Sequence, residues 1–324
     1  MSAATELVPI AGSAAAPSVA GEIPDVVAAF LRTSKPSTHR ARSQDLADFA
    51  RFAGVGPALA VEGLVAGGNG RANQVAYAYR QHLEARGLAP ATVARRLATL
   101  RAIVSLHRTW GRIAWELDVP APSVESYRDT RGPGDDGWET VRRLAATEAS
   151  TGHTRKVRDR AILLVAHDLG LRVAELAGLD LAHVERDGRG LPTAIWILGK
   201  GRAQRERLSV PVGAAEALLA WILLRGSHPG PLFHRTDAVG AGRGRLTARS
   251  IERMAAAVGR RAGLPAPLRP HGLRHHAITR ALDRTGGDVR RVQKFSRHRR
   301  LETLLLYDDR RRDDAGVVAA LVGE

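Results

Sequence analysis

The sequence contains no cysteine. That absence excludes disulfide staples, a thiol nucleophile and thiolate-ligated zinc, and it fits a chain that works in a reducing cytoplasm. No apolar run approaches the roughly 20 residues that span a bilayer, so no membrane partner is expected. The first 23 residues carry neither Lys nor Arg, include Glu6 and are interrupted by Pro9 and Pro17, a pattern that does not fit a secretory signal. A nucleotide-binding loop is missing too. Around Gly199-Lys200, Ala194 stands where the first glycine of such a loop belongs, and Gly201 stands where Ser or Thr is needed. His271 and His275 are spaced like a helical zinc pair, but no Glu follows the first and no carboxylate cluster completes a shell, so no metal is expected. Tyrosine is scarce: the four lie at 77, 79, 127 and 307, which leaves Tyr307 alone in the last part of the chain.

What is abundant is positive charge. The formal net charge is +16 and the pI is near 11.3. Residues 270–312 alone hold twelve Lys/Arg against five Asp/Glu. Such an excess, unevenly placed, points to a polyanionic partner, with nucleic acid as the expectation. The apolar fraction of 44% is ample for a packed core, and 324 residues suit about two domains.

The pattern along the chain is mainly α with a small β element. Residues 1–23 read as a flexible tail of small residues. Residues 24–115 read as a helical, basic DNA-binding domain, with helices from Pro24, from Pro36 to Phe52, from about Asn73 to Arg86, and after Pro90. The last has an apolar stripe of Val93, Leu97, Leu100, Val104 and Leu106. Its other face carries Arg95, Arg96, Arg101 and Arg108, which either contact phosphate or form a solvated surface. Residues 116–137, rich in Pro and Gly, read as a linker. Residues 138–324 form a second, mostly helical domain. Its one clear β signal is a hairpin, Ala194–Leu198 turning through Gly199-Lys200-Gly201 and returning from Arg207 to Val210. Helices are expected at 138–149, 158–168, 214–224, 248–261 with Thr247 as N-cap, 271–282, 288–295, 301–307 and 317–321.

Tyr307 attacking a phosphodiester would need particular neighbours. Charge grows on the non-bridging oxygens, and guanidinium groups neutralise it at any relevant pH. The leaving 5′ oxygen needs a proton, which a Lys or His can supply. The product is a 3′-phosphotyrosyl link that retains the bond energy, so neither ATP nor a metal cofactor is required. His271 and Arg274 sit three residues apart, on one side of a helix. Arg172 has Glu175 one turn on, and Lys200 sits at a hairpin tip. Each signal is weak alone; their combination and order make them informative.

Those residues resemble the tyrosine recombinases, the phage-integrase family. Gly170-Leu171-Arg172-Val173-Ala174-Glu175-Leu176 matches the first-arginine motif, and Gly199-Lys200-Gly201 with Arg205 and Arg207 matches the catalytic-lysine hairpin. His271-Gly272-Leu273-Arg274-His275 matches the His-x-Leu-Arg-His box, and His298 followed nine residues later by Tyr307 matches the final spacing. The resemblance implies a two-domain architecture, a helical core-binding domain and a catalytic domain. It implies Arg172 and Arg274 on the scissile phosphate, Lys200 protonating the leaving 5′ oxygen, His271 assisting proton transfer, His298 bonding the phosphate and Tyr307 as nucleophile. Glu175 and His275 would support the site or serve structure only. The implied assembly is a homotetramer on two DNA duplexes, with the segment near 317–321 docking on a neighbour or capping its own chain. One departure stands out: Ser296-Arg297-His298 replaces the family's usual Leu-Gly-His, so Arg297 brings a further phosphate contact or a steric conflict into the turn. The competing readings are a type IB topoisomerase-like nicking-closing enzyme and a non-catalytic DNA-binding regulator. A regulator would have no need of all six catalytic-type residues.

Overall fold

The computed structural model of the chain describes residues 25–34, 36–123, 132–199, 202, 204–236, 244–298, 301 and 304. The expected tail, Lys200, Tyr307 and the expected C-terminal helix at 317–321 lie outside them. The chain divides into two compact units, Met1–Tyr127 and Arg128–Glu324.

The first unit holds α1 (Val26–Arg32), α2 (Pro36–Ala53), α3 (Pro57–Ala66), α4 (Gly68–Ala85) and α5 (Pro90–Thr109). Proline opens α3 and α5 at a position whose missing N–H has no helical partner to lose. Asp25 caps α1 by accepting from the Val27 N–H at 2.9 Å. Leu46 and Phe49 of α2, Tyr79 and Leu83 of α4, and the α5 stripe Val93, Leu97, Leu100 and Val104 share one core. Helix α3 has little sequence signature, because its outer face is itself apolar at Leu59, which is 68% exposed, so the amphipathic contrast is faint. Helix α4 begins five residues before Asn73, through Gly68 and Gly70, residues that argue against a helix on propensity alone.

Two aspartates of α2 lie inside this unit. The buried Asp48 carboxylate accepts from the Tyr79 hydroxyl at 2.9 Å, Arg86 Nη1 at 3.0 Å, Arg96 Nη1 at 2.7 Å and Arg51 Nη2 at 2.8 Å. Burial pushes its pKa up, but the hydrogen bonds from Arg86, Tyr79 and Arg51 outweigh burial and hold it at about 2. Asp45 accepts from Thr99 Oγ1 at 2.8 Å and from Arg95. Asp48→Ala leaves the buried Tyr79 hydroxyl and the mostly buried Arg96 without their acceptor. A loss of about 3–5 kcal/mol is expected, the scale for breaking a buried charged pair from one side. A denaturant midpoint within error of the wild type would refute it.

The second unit runs α6 (Gly134–Ser150), α7 (Thr154–Asp168), α8 (Val173–Ala177), a 3-10 turn (Leu181–His183), β1 (Val184–Arg186), β2 (Pro192–Leu198), β3 (Arg205–Ser209), α9 (Val212–Arg225), α10 (Ala248–Arg261), α11 (Pro270–Arg284) and α12 (Val289–Ser296). The hairpin belongs to a three-stranded antiparallel sheet in the order β1-β2-β3, with Ile195 paired to Val184 on one side and Leu208 on the other. Strand β1 is three residues long, too short to show alternation. Ala194, Ile195 and Ile197 of β2 are buried. Helix α7 is packed by α6, α9 and α11, and its Ala161–Ala166 run is buried from end to end. The Thr247 hydroxyl caps α10, accepting from the Ser250 N–H at 3.1 Å. Of the stretch 116–137, Leu117 and Val119 are buried in the first unit's core, and Gly134 already opens α6. Among the described residues no single helix is long and apolar enough to cross a membrane.

Candidate active site

The site is built on the turn that ends α7. Gly170 adopts a left-handed conformation (φ 55°), and Leu171 N–H reaches back to the Ala166 carbonyl at 2.9 Å. A Cβ on Gly170 would lie 3.2 Å from the Phe295 ring, so both the backbone and the space call for glycine. Two residues on, Arg172 is the N-cap of α8. The Glu175 carboxylate, 3% exposed, accepts from the Arg172 backbone N–H and from Arg172 Nη1, both at 2.9 Å. Burial pushes the Glu175 carboxyl up, but the charge of Arg297 and the Arg172 contacts hold it below the ordinary range. Arg172 keeps 31% of its side chain exposed, so a ligand can reach its guanidinium.

Helix α11 begins with Pro270 at its first position. His271 is exposed in the first turn, and Arg274 one turn on is buried. Arg274 donates through Nη1 to the Gly170 carbonyl and through Nη2 to the Ser296 carbonyl, and Nη2 lies 3.3 Å from His298 Nε2. A guanidinium only donates, so His298 Nε2 is the acceptor and the ring proton sits on Nδ1. Burial, followed by the charges of Arg274, Arg172, Arg297 and His271, lowers the His298 pKa to about 4. The imidazole is therefore neutral at neutral pH. His275 is half-buried; its carbonyl accepts from Thr279 Oγ1 at 2.9 Å.

Arg297 turns its guanidinium inward, away from solvent, and its turn is built without a steric conflict. It takes the left-handed conformation itself (φ 58°, ψ 32°), the one non-glycine among the described residues with positive φ. Such a conformation costs on the order of 1–3 kcal/mol. Its guanidinium turns inward, with only 2% of the side chain exposed. Nη1 donates to the carbonyls of Leu169 at 3.1 Å and Phe295 at 3.0 Å. Nη2 donates to the Gly170 carbonyl at 3.0 Å and to Glu175 Oε2 at 3.1 Å. The sequence signalled only that a glycine was missing; the inward direction depends on the buried Glu175 being there to meet it.

Of the residues expected to carry chemistry, Arg172, Glu175, Arg274 and His298 are thus drawn together, and His271 shares the helix of Arg274. Lys200 and Tyr307 lie outside the described residues. Flanking the first of these, Leu198 pairs with Arg205 where the hairpin closes. In the first unit, Arg95 and Arg96 pair with Asp45 and Asp48, Arg101 Nη2 donates to the Val119 carbonyl at 2.6 Å, and Arg108 pairs with Glu116. Each thus has an intramolecular partner, while Arg95 and Arg108 remain about half exposed.

Beneath the site, a polar chain crosses the helices. His167 Nδ1 lies 2.7 Å from Asp168, its Nε2 lies 2.9 Å from His276 Nδ1, and His276 Nε2 lies 3.3 Å from Asp135. Burial, then the neighbouring His167, lowers the His276 pKa to about 4; Asp135, 71% exposed, offsets little of this. An unfolded histidine titrates near 6.5, so between pH 6.5 and 4 the unfolded chain takes up a proton that the folded chain refuses. Stability should therefore fall with pH across that window, on the order of 1 kcal/mol per pH unit. Denaturant midpoints measured at pH 7.5 and pH 5 should show the fall, and His276→Gln should reduce it by about half, since the buried His298 is held near 4 as well. An unchanged slope in that variant would assign the effect elsewhere.

Residues 139–313 match the model of the phage integrase family. A tyrosine recombinase of Synechococcus elongatus is 37% identical over 242 residues, which is 74% of this chain and 73% of the relative. Among solved structures, the fold is similar to the Tn1549 transposon integrase in complex with transposon right end DNA, with a TM-score of 0.65 and 15% identity over 91% of this chain and 96% of the other. It is also similar to a lambda integrase tetramer bound to a Holliday junction, with a TM-score of 0.62 and 13% identity over 89% and 78% of the two chains.

Proposed function

The chain belongs to the phage integrase family, and from that premise we propose how its own residues cut and rejoin DNA. It is a site-specific tyrosine recombinase acting on double-stranded DNA. The observation that carries the residue assignment is the hydrogen-bonded set of Arg172, Glu175, Arg274 and His298 around the Gly170 turn. A scissile phosphate enters beside Arg172, whose guanidinium is the accessible one. As Tyr307 attacks, negative charge grows on the non-bridging oxygens. Arg172 meets it directly, and Arg274 meets it from a site with little water to screen its charge. His298, neutral and anchored to Arg274 through Nε2, adds no further positive charge, and its Nδ1–H is the donor it has left to offer. Lys200 delivers a proton to the departing 5′ oxygen, and His271 manages the proton of the tyrosine.

The P–O bond to the 5′ oxygen breaks as the bond to the Tyr307 oxygen forms, leaving a 3′-phosphotyrosyl link and a free 5′ hydroxyl. A 5′ hydroxyl from another strand reverses the step and joins the new partner. One phosphodiester is exchanged for another, so no energy source enters.

The helical unit, residues 24–115, acts as the core-binding domain that grips DNA, and residues 138–324 are catalytic. Because each catalytic unit supplies one tyrosine and recombination exchanges four strands, four chains assemble on two duplexes. A chain without cysteine, carrying this charge, works in the reducing compartment that holds DNA, the cytoplasm. Covalent capture tests the reading: purified protein is mixed with a random library of nicked duplexes and denatured, and the bound strands are sequenced. A 3′-linked adduct on a recurring sequence is expected, and no adduct on any duplex would overturn it.

A further inference from the structure

We propose that Arg297 is a positioning residue for the phosphate-binding arginines, an inference that rests on the assignment of Arg172 and Arg274 to the scissile phosphate. The argument is geometric. Arg297 Nη2 touches two acceptors, and each also receives one of those arginines. Glu175 takes Arg297 on Oε2 and Arg172 on Oε1. The Gly170 carbonyl takes Arg297 and Arg274 together. One buried guanidinium thus fixes the carboxylate that orients the first arginine and the carbonyl that anchors the second. The planar fork of arginine suits this bridging, since a single ammonium would have to divide itself among acceptors that a guanidinium reaches from separate nitrogens.

Packing alone does not explain the residue. A left-handed position directly before His298 is a glycine's position by backbone preference, and the chain places there the one described non-glycine with positive φ. Its side chain spans from the end of α12 to the end of α7 and the start of α8, through the Leu169 carbonyl and Glu175. Without Arg297, Glu175 would be a buried carboxylate with Arg172 as its sole cationic partner among the ion pairs of the described residues. Such a carboxylate protonates more readily, and once neutral it holds Arg172 less firmly. Arg297 would thereby keep the first arginine in place as pH falls.

The test compares the wild type with Arg297→Gly, Arg297→Lys, Glu175→Gln and the double variant Arg297→Gly/Glu175→Gln, on the duplex recovered by covalent capture. Glycine accepts the left-handed backbone, so Arg297→Gly is expected to fold. Its rate of adduct formation should fall about tenfold at neutral pH, on the scale of a coupling between contacting residues, with a larger loss toward acid pH. Arg297→Lys should recover part of the rate. In the Glu175→Gln background, removing Arg297 should change the rate much less, because the effect runs largely through that carboxylate. Wild-type rates in Arg297→Gly, or an equal loss with and without Glu175, would overturn the proposal. A readout independent of catalysis is the Glu175 carboxyl titration followed by carbon-13 NMR, which should move to higher pH in Arg297→Gly. An unmoved titration would overturn the link to Glu175 even where adduct forms. Absence of adduct in the wild type would instead overturn the recombinase roles, while a moved titration would leave the contact between Arg297 and Glu175 standing.

Discussion

Tyr307→Phe should form no covalent adduct with DNA while still binding it. The substitution removes one oxygen from a ring that otherwise keeps its size and shape. Without a nucleophile the 3′-phosphotyrosyl link has no route to form, so the loss is complete rather than graded. Binding rests on phosphate neutralisation by a chain of net charge +16, spread over many side chains. One neutral hydrogen bond contributes about 0.5–1.5 kcal/mol, so affinity should change by less than about tenfold. Denaturing gels of captured duplex and a parallel binding titration separate the two effects. An adduct persisting in the Phe variant would move the nucleophile to another residue, with Tyr77, Tyr79 and Tyr127 as the remaining phenols. Tyr79 is the least suited of these, being buried with its hydroxyl committed to Asp48.

The second large effect separates the two arginines. Arg172→Ala and Arg274→Ala should each slow single-turnover adduct formation by about 10²–10³-fold, the scale for losing one preorganised transition-state donor. They should differ in stability. Arg172 is about a third exposed, and Glu175 keeps Arg297 when it is gone, so the variant should unfold near the wild-type midpoint. Arg274 is buried and serves two carbonyls and His298; the Gly170 carbonyl keeps Arg297, so Arg274→Ala strands the Ser296 carbonyl and His298 Nε2 at about 1–3 kcal/mol each. Arg274→Lys keeps the charge but lacks the fork that spans both carbonyls, and should rescue little. A fully active Ala variant at either position would remove that residue from the phosphate site.

Much of this was legible in the residues. Proline at 36 and 90 marks helix starts, glycine at 170 a turn, and the spacing of Val93, Leu97, Leu100 and Val104 a buried face, because these signals are local. The order of Arg172, Lys200, His271, Arg274, His298 and Tyr307 carried the family because reaction chemistry restricts residue type at each point. What stayed hidden depended on distant partners. Strand β1 exists because Ile195 offers it an edge. Helix α3 has an apolar outer face, and α4 starts through two glycines that tertiary packing overrides. The four arginines of α5 read as phosphate contacts or a solvated face because nothing in their own helix shows that Asp45 and Asp48 lie opposite Arg95 and Arg96. Arg297 is the sharpest case: a missing glycine was visible, while the carboxylate that draws the side chain inward lies 122 positions away in the chain.

Those two aspartates have a further consequence. Apolar side chains hold a helix against a core but tolerate some rotation about its axis, since one methyl group substitutes for another. A carboxylate clasped by named donors does not. Asp45 takes Arg95 and Thr99, and Asp48 takes Arg96, so two fixed points set the azimuth of α5 like a key in a slot. Which side chains α5 turns outward is therefore decided by a different helix, and a change on α2 can re-aim the basic face of the unit.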